Sequence, residues 1–158
     1  MTGFPKPDHD HRACAADVLK RADRLCRSRG ARLTDSRAKV LDVLARGHQP
    51  VGAYEIVDAL AEGGQRPAPV TVYRALDFLV SQGLAHRIES RNAFVACMTG
   101  TQEHGTAAFL ICRRCGVVAE VAADELSQPV ARVCERHRFE AESSVIEIEG
   151  LCGNCRDA

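Results

Sequence analysis

Apolar residues recur every three to four positions through the first half of the chain, and the period shortens towards two in parts of the second half. From Ala13 to Arg29, the residues Val18, Ala22, Leu25 and Cys26 form one stripe, with Arg21, Arg24 and Arg27 largely off it and Gly30 as the stop. Thr34 stands where an N-cap belongs, ahead of a helix to about Arg46 that turns Val40, Leu41 and Leu44 inward. A third helix, Ala53 to Glu62, carries Ala53, Ile56, Val57 and Leu60 on one face and stops at Gly63-Gly64. Pro69 suits a first helical turn, where its missing N–H has no partner in any case, and a fourth helix is predicted from there to Gln82. It buries Val72, Ala75, Leu76, Leu79 and Val80, with Gly83 beyond its end, and presents Thr71, Arg74 and Asp77 on the other side with Tyr73 flanking them. The alternative reading of that polar side is an ordinary solvated helix surface.

Two short strands follow, Leu84 to Glu89 and Ala93 to Cys97. Helices followed by a hairpin are the pattern of a winged helix-turn-helix, in which the last helix enters the major groove and the hairpin lies over the backbone. Residues 98–105, with two glycines and two threonines, are predicted to be a hinge linker. Beyond it, Ala107 to Ile111 and Val117 to Val121 are predicted strands, Asp124 to His137 a helix whose regularity Pro129 limits, and Val145 to Glu149 a strand with Ile146 and Ile148 inward. In that helix Leu126, Val130, Val133 and Cys134 make the apolar stripe. The fold class expected is α+β: a disordered tail over 1–12, a winged-helix domain over 13–97, the linker, and an α+β domain over 106–158.

Charge sharpens this division. The net charge is zero, but residues 1–97 hold 15 basic against 11 acidic side chains, a net of +4, and residues 98–158 hold 6 against 10, a net of −4. Residues 21–46 alone carry eight basic side chains against three acidic ones, which makes them the expected phosphate-facing surface. The first half is expected to meet a polyanion, the second half not. No apolar run reaches membrane-spanning length and the N-terminus lacks the character of an export signal, so a cytoplasmic protein without a membrane partner is expected.

Eight cysteines in a reducing compartment are more often metal ligands than bridges. Four of them form two knuckles, Cys112-Arg-Arg-Cys115 and Cys152-Gly-Asn-Cys155, separated by 36 residues. Two C-x-x-C turns can close a tetrahedron of sulfurs around Zn²⁺, so structural zinc on Cys112, Cys115, Cys152 and Cys155 is expected; redox pairs or disulfides are the alternative. Cys26 and Cys134 fall on apolar stripes and are expected in cores. Of the other metal-competent residues, His86 and Cys97 lie on the two wing strands, His104 in the linker and Glu120 past the first knuckle. One ion on these four would be a regulatory zinc, thiolate favouring zinc over iron or manganese; the alternative is a surface wing histidine, a buried strand cysteine, a polar linker residue and a solvated strand carboxylate with no ion between them. A third ion at His9/His11, beside Asp8, Asp10 and Cys14, competes with the reading of that stretch as a solvated tail.

The runs Thr71-Val-Tyr-Arg-Ala-Leu-Asp-Phe-Leu79, Gly83-Leu-Ala-His-Arg-Ile-Glu-Ser90 and Phe109-Leu-Ile-Cys-Arg-Arg-Cys-Gly116 occur together and in order. On these, residues 13–156 resemble the ferric uptake regulator family, and more narrowly its zinc uptake regulator branch. The resemblance implies a homodimer joined through the C-terminal domains, acting as a metal-dependent repressor on an AT-rich inverted repeat of double-stranded DNA. It implies the same two zinc sites per chain and DNA contacts at Tyr54, Tyr73 and Arg74, with Thr71 on the same helix face. Gln102-Glu103-His104 offers one histidine where iron-sensing relatives carry several, and Glu103 stays open as the alternative donor to His104. A C-x-x-C oxidoreductase or a zinc hydrolase would need a metal-free dithiol or an open coordination position, and neither ligand set leaves one, so no enzyme and no small-molecule substrate is expected.

Overall fold

The computed structural model describes residues 4, 11–98, 106–121 and 123–157. They fall in two compact units, one within 6–100 and the other comprising residue 4 and those within 101–158. His9, Glu103 and His104 lie outside the described residues, and of His11 only the backbone is described.

The first unit starts with helix α1, His11–Ser28, two residues ahead of the expected start, so the predicted tail and the helix overlap there. Its stripe is as predicted: Val18, Ala22 and Cys26 are buried. Helix α2, Asp35–Ala45, begins where Thr34 accepts the Arg37 N–H at 3.4 Å. Helix α3 spans Ala53–Glu62 and helix α4 Pro69–Ser81, with Pro69 in its first turn. Leu41, Leu44, Ile56, Leu76 and Leu79 are all 1% exposed or less, and together they form the centre of a helical core. The Arg37 guanidinium lies 3.5 Å from the Phe78 ring centre, a cation–π contact between α2 and α4. Val80, expected inside, is exposed, because it sits on the rim of the α4 stripe, one position past the buried Leu79.

Gly83 turns the chain out of α4 at φ +62°, and the Leu84 N–H donates back to the Leu79 carbonyl at 2.8 Å. A side chain at 83 would be strained in this left-handed cap. Strands β1, Ala85–Ile88, and β2, Ala93–Ala96, then pair antiparallel with His86 opposite Val95. Val51 adds a rung on the other edge of β2, its N–H and carbonyl exchanging bonds with Phe94 at 2.8 and 2.9 Å. The wing is thereby anchored to the segment that leads into α3.

The second unit is a three-stranded sheet in the order β4-β3-β5, with β3 Thr106–Cys112, β4 Val118–Val121 and β5 Ser144–Gly150. β3 runs antiparallel to β4 and parallel to β5, and helix α5, Ala123–Arg136, makes the crossover. Ala108, Phe109, Ile111 and Cys112 of the central strand are buried. α5 continues through Pro129 and half-buries Leu126, Val130 and Cys134. Two expectations fail here: Val133 is 49% and Ile148 47% exposed. The α5 stripe is narrower than predicted, following i, i+4 and i+8, and β5 is one of the two edge strands among the described residues. By register Ile148 shares a sheet face with Leu110, Ala119 and Ile146.

Candidate metal centre and nucleic-acid interface

The parallel register of β3 and β5 brings the two knuckles together. Cys112 ends β3 beside Gly150, and the Arg113 N–H donates to the Gly150 carbonyl at 2.9 Å, so the chain leaving β5 reaches Cys152 at the same end of the sheet. The first knuckle closes through the Gly116 N–H on the Cys112 carbonyl at 2.9 Å and the Cys112 N–H on Val117 at 3.0 Å. Gly116 holds φ +74° to make that turn. The second knuckle is the start of a short helix, α6 Gly153–Arg156, with the Cys155 N–H on the Cys152 carbonyl at 3.0 Å. Arg114 bridges the two, donating to the Cys155 carbonyl at 2.8 Å.

All four sulfurs lie within 4.8 Å of one another, and Cys115 Sγ is 3.8 Å from Cys152 Sγ. A zinc tetrahedron with Zn–S bonds of about 2.3 Å has an S···S edge of about 3.8 Å, so the cluster matches the ion in spacing as well as in donor type. Cys112 and Cys152 are buried, Cys115 and Cys155 half-buried. The thiols differ in acidity. N–H groups of Cys115 and then Cys152, the latter 3.4 Å from Cys112 Sγ, pull the Cys112 thiol down to about 6. Removal from water, and then the sulfurs of Cys152, Cys115 and Cys112, push Cys155 up to about 12. At Cys115 the Val117 N–H acts downward, but desolvation and the sulfur of Cys112 outweigh it and the thiol is raised. Four thiolates this close cannot coexist without a cation.

The other predicted ligands are distributed over both units. In the wing, His86 is half-buried and Cys97 is 2% exposed just past β2. The register 86 opposite 95, with the Cys97 N–H on the Leu84 carbonyl at 2.9 Å, puts both side chains on one face as diagonal neighbours. A ring nitrogen of His86 and Cys97 Sγ lie within 4.8 Å of each other, a nitrogen–sulfur pair suited to zinc. Glu120 is half-buried in β4, opposite Phe109.

The predicted DNA residues occupy the open side of the first unit. Thr71, Tyr73 and Arg74 are exposed on α4, opposite its buried Val72, Ala75 and Leu76. Tyr54 is 63% and Tyr73 43% exposed, large areas for aromatic rings on rigid helices. Both line one cleft of about 490 Å³ between the start of α3, the outer face of α4 and the wing. Arg87 and Asn92 of the wing line it too and are bonded to each other at 3.1 Å. Sequence reasoning did not single out these two; strand alternation places Arg87 outward between His86 and Ile88, but only the fold turns it towards the tyrosines.

The family model described as "Ferric uptake regulator family" matches residues 28–149. The chain belongs to the ferric uptake regulator family. This is a family of transcription regulators and not of enzymes. Within it, the chain is 37% identical over 139 residues to the zinc uptake regulation protein of Escherichia coli (strain K12), covering 88% of this chain and 81% of that protein. A zinc uptake regulator solved in complex with zinc and DNA superposes with a TM-score of 0.83 at 36% identity, over 90% of this chain and 95% of that one. The structure of holo XcZur gives a TM-score of 0.80 at 41% identity, over 90% and 99% of the two chains. These relatives place the chain among the regulators of zinc uptake in a family that also contains iron regulators. Among the described residues no helix is long and apolar enough to cross a membrane.

Proposed function

We propose that this protein is a zinc-responsive transcriptional repressor of the cytoplasm, which binds an AT-rich inverted-repeat operator as a zinc-loaded homodimer and represses zinc-uptake genes. The observation that carries the reading is the His86–Cys97 pair: a zinc-type donor set built into the wing of the same head that exposes Tyr54, Thr71, Tyr73 and Arg74. Similarity to a zinc uptake regulator solved with zinc and DNA supports both halves of it.

Cys112, Cys115, Cys152 and Cys155 hold a structural zinc that ties the end of β3 to the chain leaving β5. His86 and Cys97 hold a regulatory zinc, completed by Glu120 and by His104 or Glu103. Zinc supplies a Lewis-acidic cross-link with no redox chemistry. With ligands drawn from the wing and from outside it, metal occupancy selects one arrangement of the DNA-binding head. A preference of about 2.7 kcal/mol for that state changes operator affinity about 100-fold. Arg74 reaches base edges, Tyr54 and Tyr73 pack against the groove, and the exposed apolar residues of the second unit, Ile148 and Leu151 among them, pair two chains.

Operator affinity measured at fixed salt against buffered free zinc tests this. Affinity is expected to rise by about tenfold or more with zinc. His86→Ala and Cys97→Ser abolish the rise while the four-cysteine site stays filled. Affinity that does not vary with free zinc would remove the sensor and leave a constitutive DNA binder.

A further inference from the structure

Arg21 opens the basic 21–46 stretch expected to face phosphate, but its guanidinium is turned onto main-chain carbonyls instead, and it is neither a proposed zinc ligand nor part of the cleft between α4 and the wing. It lies in the middle of α1, half-buried beside the buried Ala22. Its guanidinium donates to two successive main-chain carbonyls, that of Cys97 and, at 3.0 Å, that of Met98. Successive carbonyls of an extended strand point to opposite sides, so one side chain can take both only where the chain turns, and it does bend at Met98. On the other side of Cys97, its own N–H is bound to the Leu84 carbonyl at 2.9 Å. The main chain that carries the thiol is therefore gripped from two directions, by the wing strand and by α1. The planar fork of arginine presents donors to two acceptors at once in a fixed geometry, whereas a lysine ammonium is a point charge on a flexible stem.

We infer that Arg21 is a positioning residue for the regulatory zinc: by clamping the carbonyls of Cys97 and Met98 it holds the Cys97 sulfur beside His86 before the metal arrives. The inference rests on the regulatory-site reading above. Cys97 is the first residue past β2, where the ladder no longer orders the chain. Without the clamp its ordering is deferred to the binding step, and zinc affinity falls by that cost. Outer contacts of this kind change metal affinity by about 10- to 100-fold when removed. The same contact links α1 to the metal site, although no residue of α1 is a proposed ligand of it.

The test is a competition titration of the full-length protein with a chromophoric zinc chelator, comparing wild type, Arg21→Ala, Arg21→Lys and His86→Ala. In Arg21→Ala the midpoint for the second zinc equivalent is expected to move to free zinc about tenfold higher or more, with Arg21→Lys between it and wild type. The first equivalent, the melting temperature of the zinc-replete protein and operator affinity at saturating zinc stay at wild-type values, because alanine keeps the α1 stripe intact. A second equivalent bound at the wild-type midpoint in Arg21→Ala overturns the inference. So does a matching loss of melting temperature and of the first equivalent, which would make Arg21 a general fold contact. If His86→Ala leaves the second equivalent unchanged, the regulatory-site reading fails as well, and the two failures are told apart by that variant.

Discussion

The four knuckle cysteines carry the same side chain and differ in chemistry because the turns present different groups to them. Cys112 receives main-chain N–H groups and falls to about 6, so in the metal-free protein it is a thiolate at neutral pH. Cys155 and Cys115 are raised above the ordinary thiol value of 9.0 and keep their protons there. Zinc bound by four thiolates must displace those protons, so zinc affinity at the four-cysteine cluster is expected to increase with pH. With two or more protons released, the association constant near pH 7 should rise by about 100-fold or more per pH unit, and more steeply below pH 6, where Cys112 is protonated too. The zinc-dependent part of the stability of this unit is therefore present at high pH and lost as pH falls. Chelator competition between pH 6 and 8 measures the slope; a value below one proton would contradict the assignment of all four sulfurs to one ion.

At the scale of the element, α4 has two faces with separable duties. Leu76 and Leu79 are fully buried and fix where the helix lies, whereas Arg74 is exposed and points away from that core. Leu76→Ala should cost about 2–5 kcal/mol of stability through the cavity it leaves, read as a lower melting temperature. Arg74→Ala should leave the melting temperature within a degree or two of wild type, yet cost about 1–3 kcal/mol of operator binding. A melting temperature lowered equally by both changes would show that Arg74 serves the fold. The faces of α4 were legible in the sequence because a helix repeats every 3.6 residues and one amphipathic stripe suffices to orient it. The cleft that α4 shares with Tyr54 and Arg87 was not, since these come from three elements that only the packed core brings together.

At the scale of the whole molecule, the apolar residues of the second unit call for a partner. Ile148 at 47%, Leu151 at 52% and Phe139 at 65% exposed are large apolar side chains in contact with water in a single chain. Ile148→Asp is expected to shift the sedimentation of the zinc-replete protein from dimer to monomer. Operator affinity should then fall by about 100-fold, because a lone head loses the effective concentration that joining two of them provides. A variant that sediments as a dimer would show that the two chains join elsewhere. The alternation at 145–149 led sequence reasoning to turn Ile148 towards the chain's own core, but period alone cannot say whether the apolar face of a strand meets its own chain or another.

What the sequence determined by itself is local and periodic: four helices with their caps at Thr34, Pro69 and Gly83, the hairpin, the change of period beyond residue 105, and the paired C-x-x-C spacing with its four sulfur donors. Each of these depends on residues within a turn or two of one another, or on a motif whose chemistry constrains it. The tertiary structure decided what depends on distant segments meeting. It aligned β3 with β5 so that the knuckles share one end of a sheet, set Val133 and Ile148 outside the chain's own core, and turned the wing towards Tyr54 and Tyr73. It also brought Arg21 to the carbonyls of Cys97 and Met98, more than 70 positions away. Contacts of that range leave no periodic trace along a single chain, because their geometry is set by the packing of whole elements.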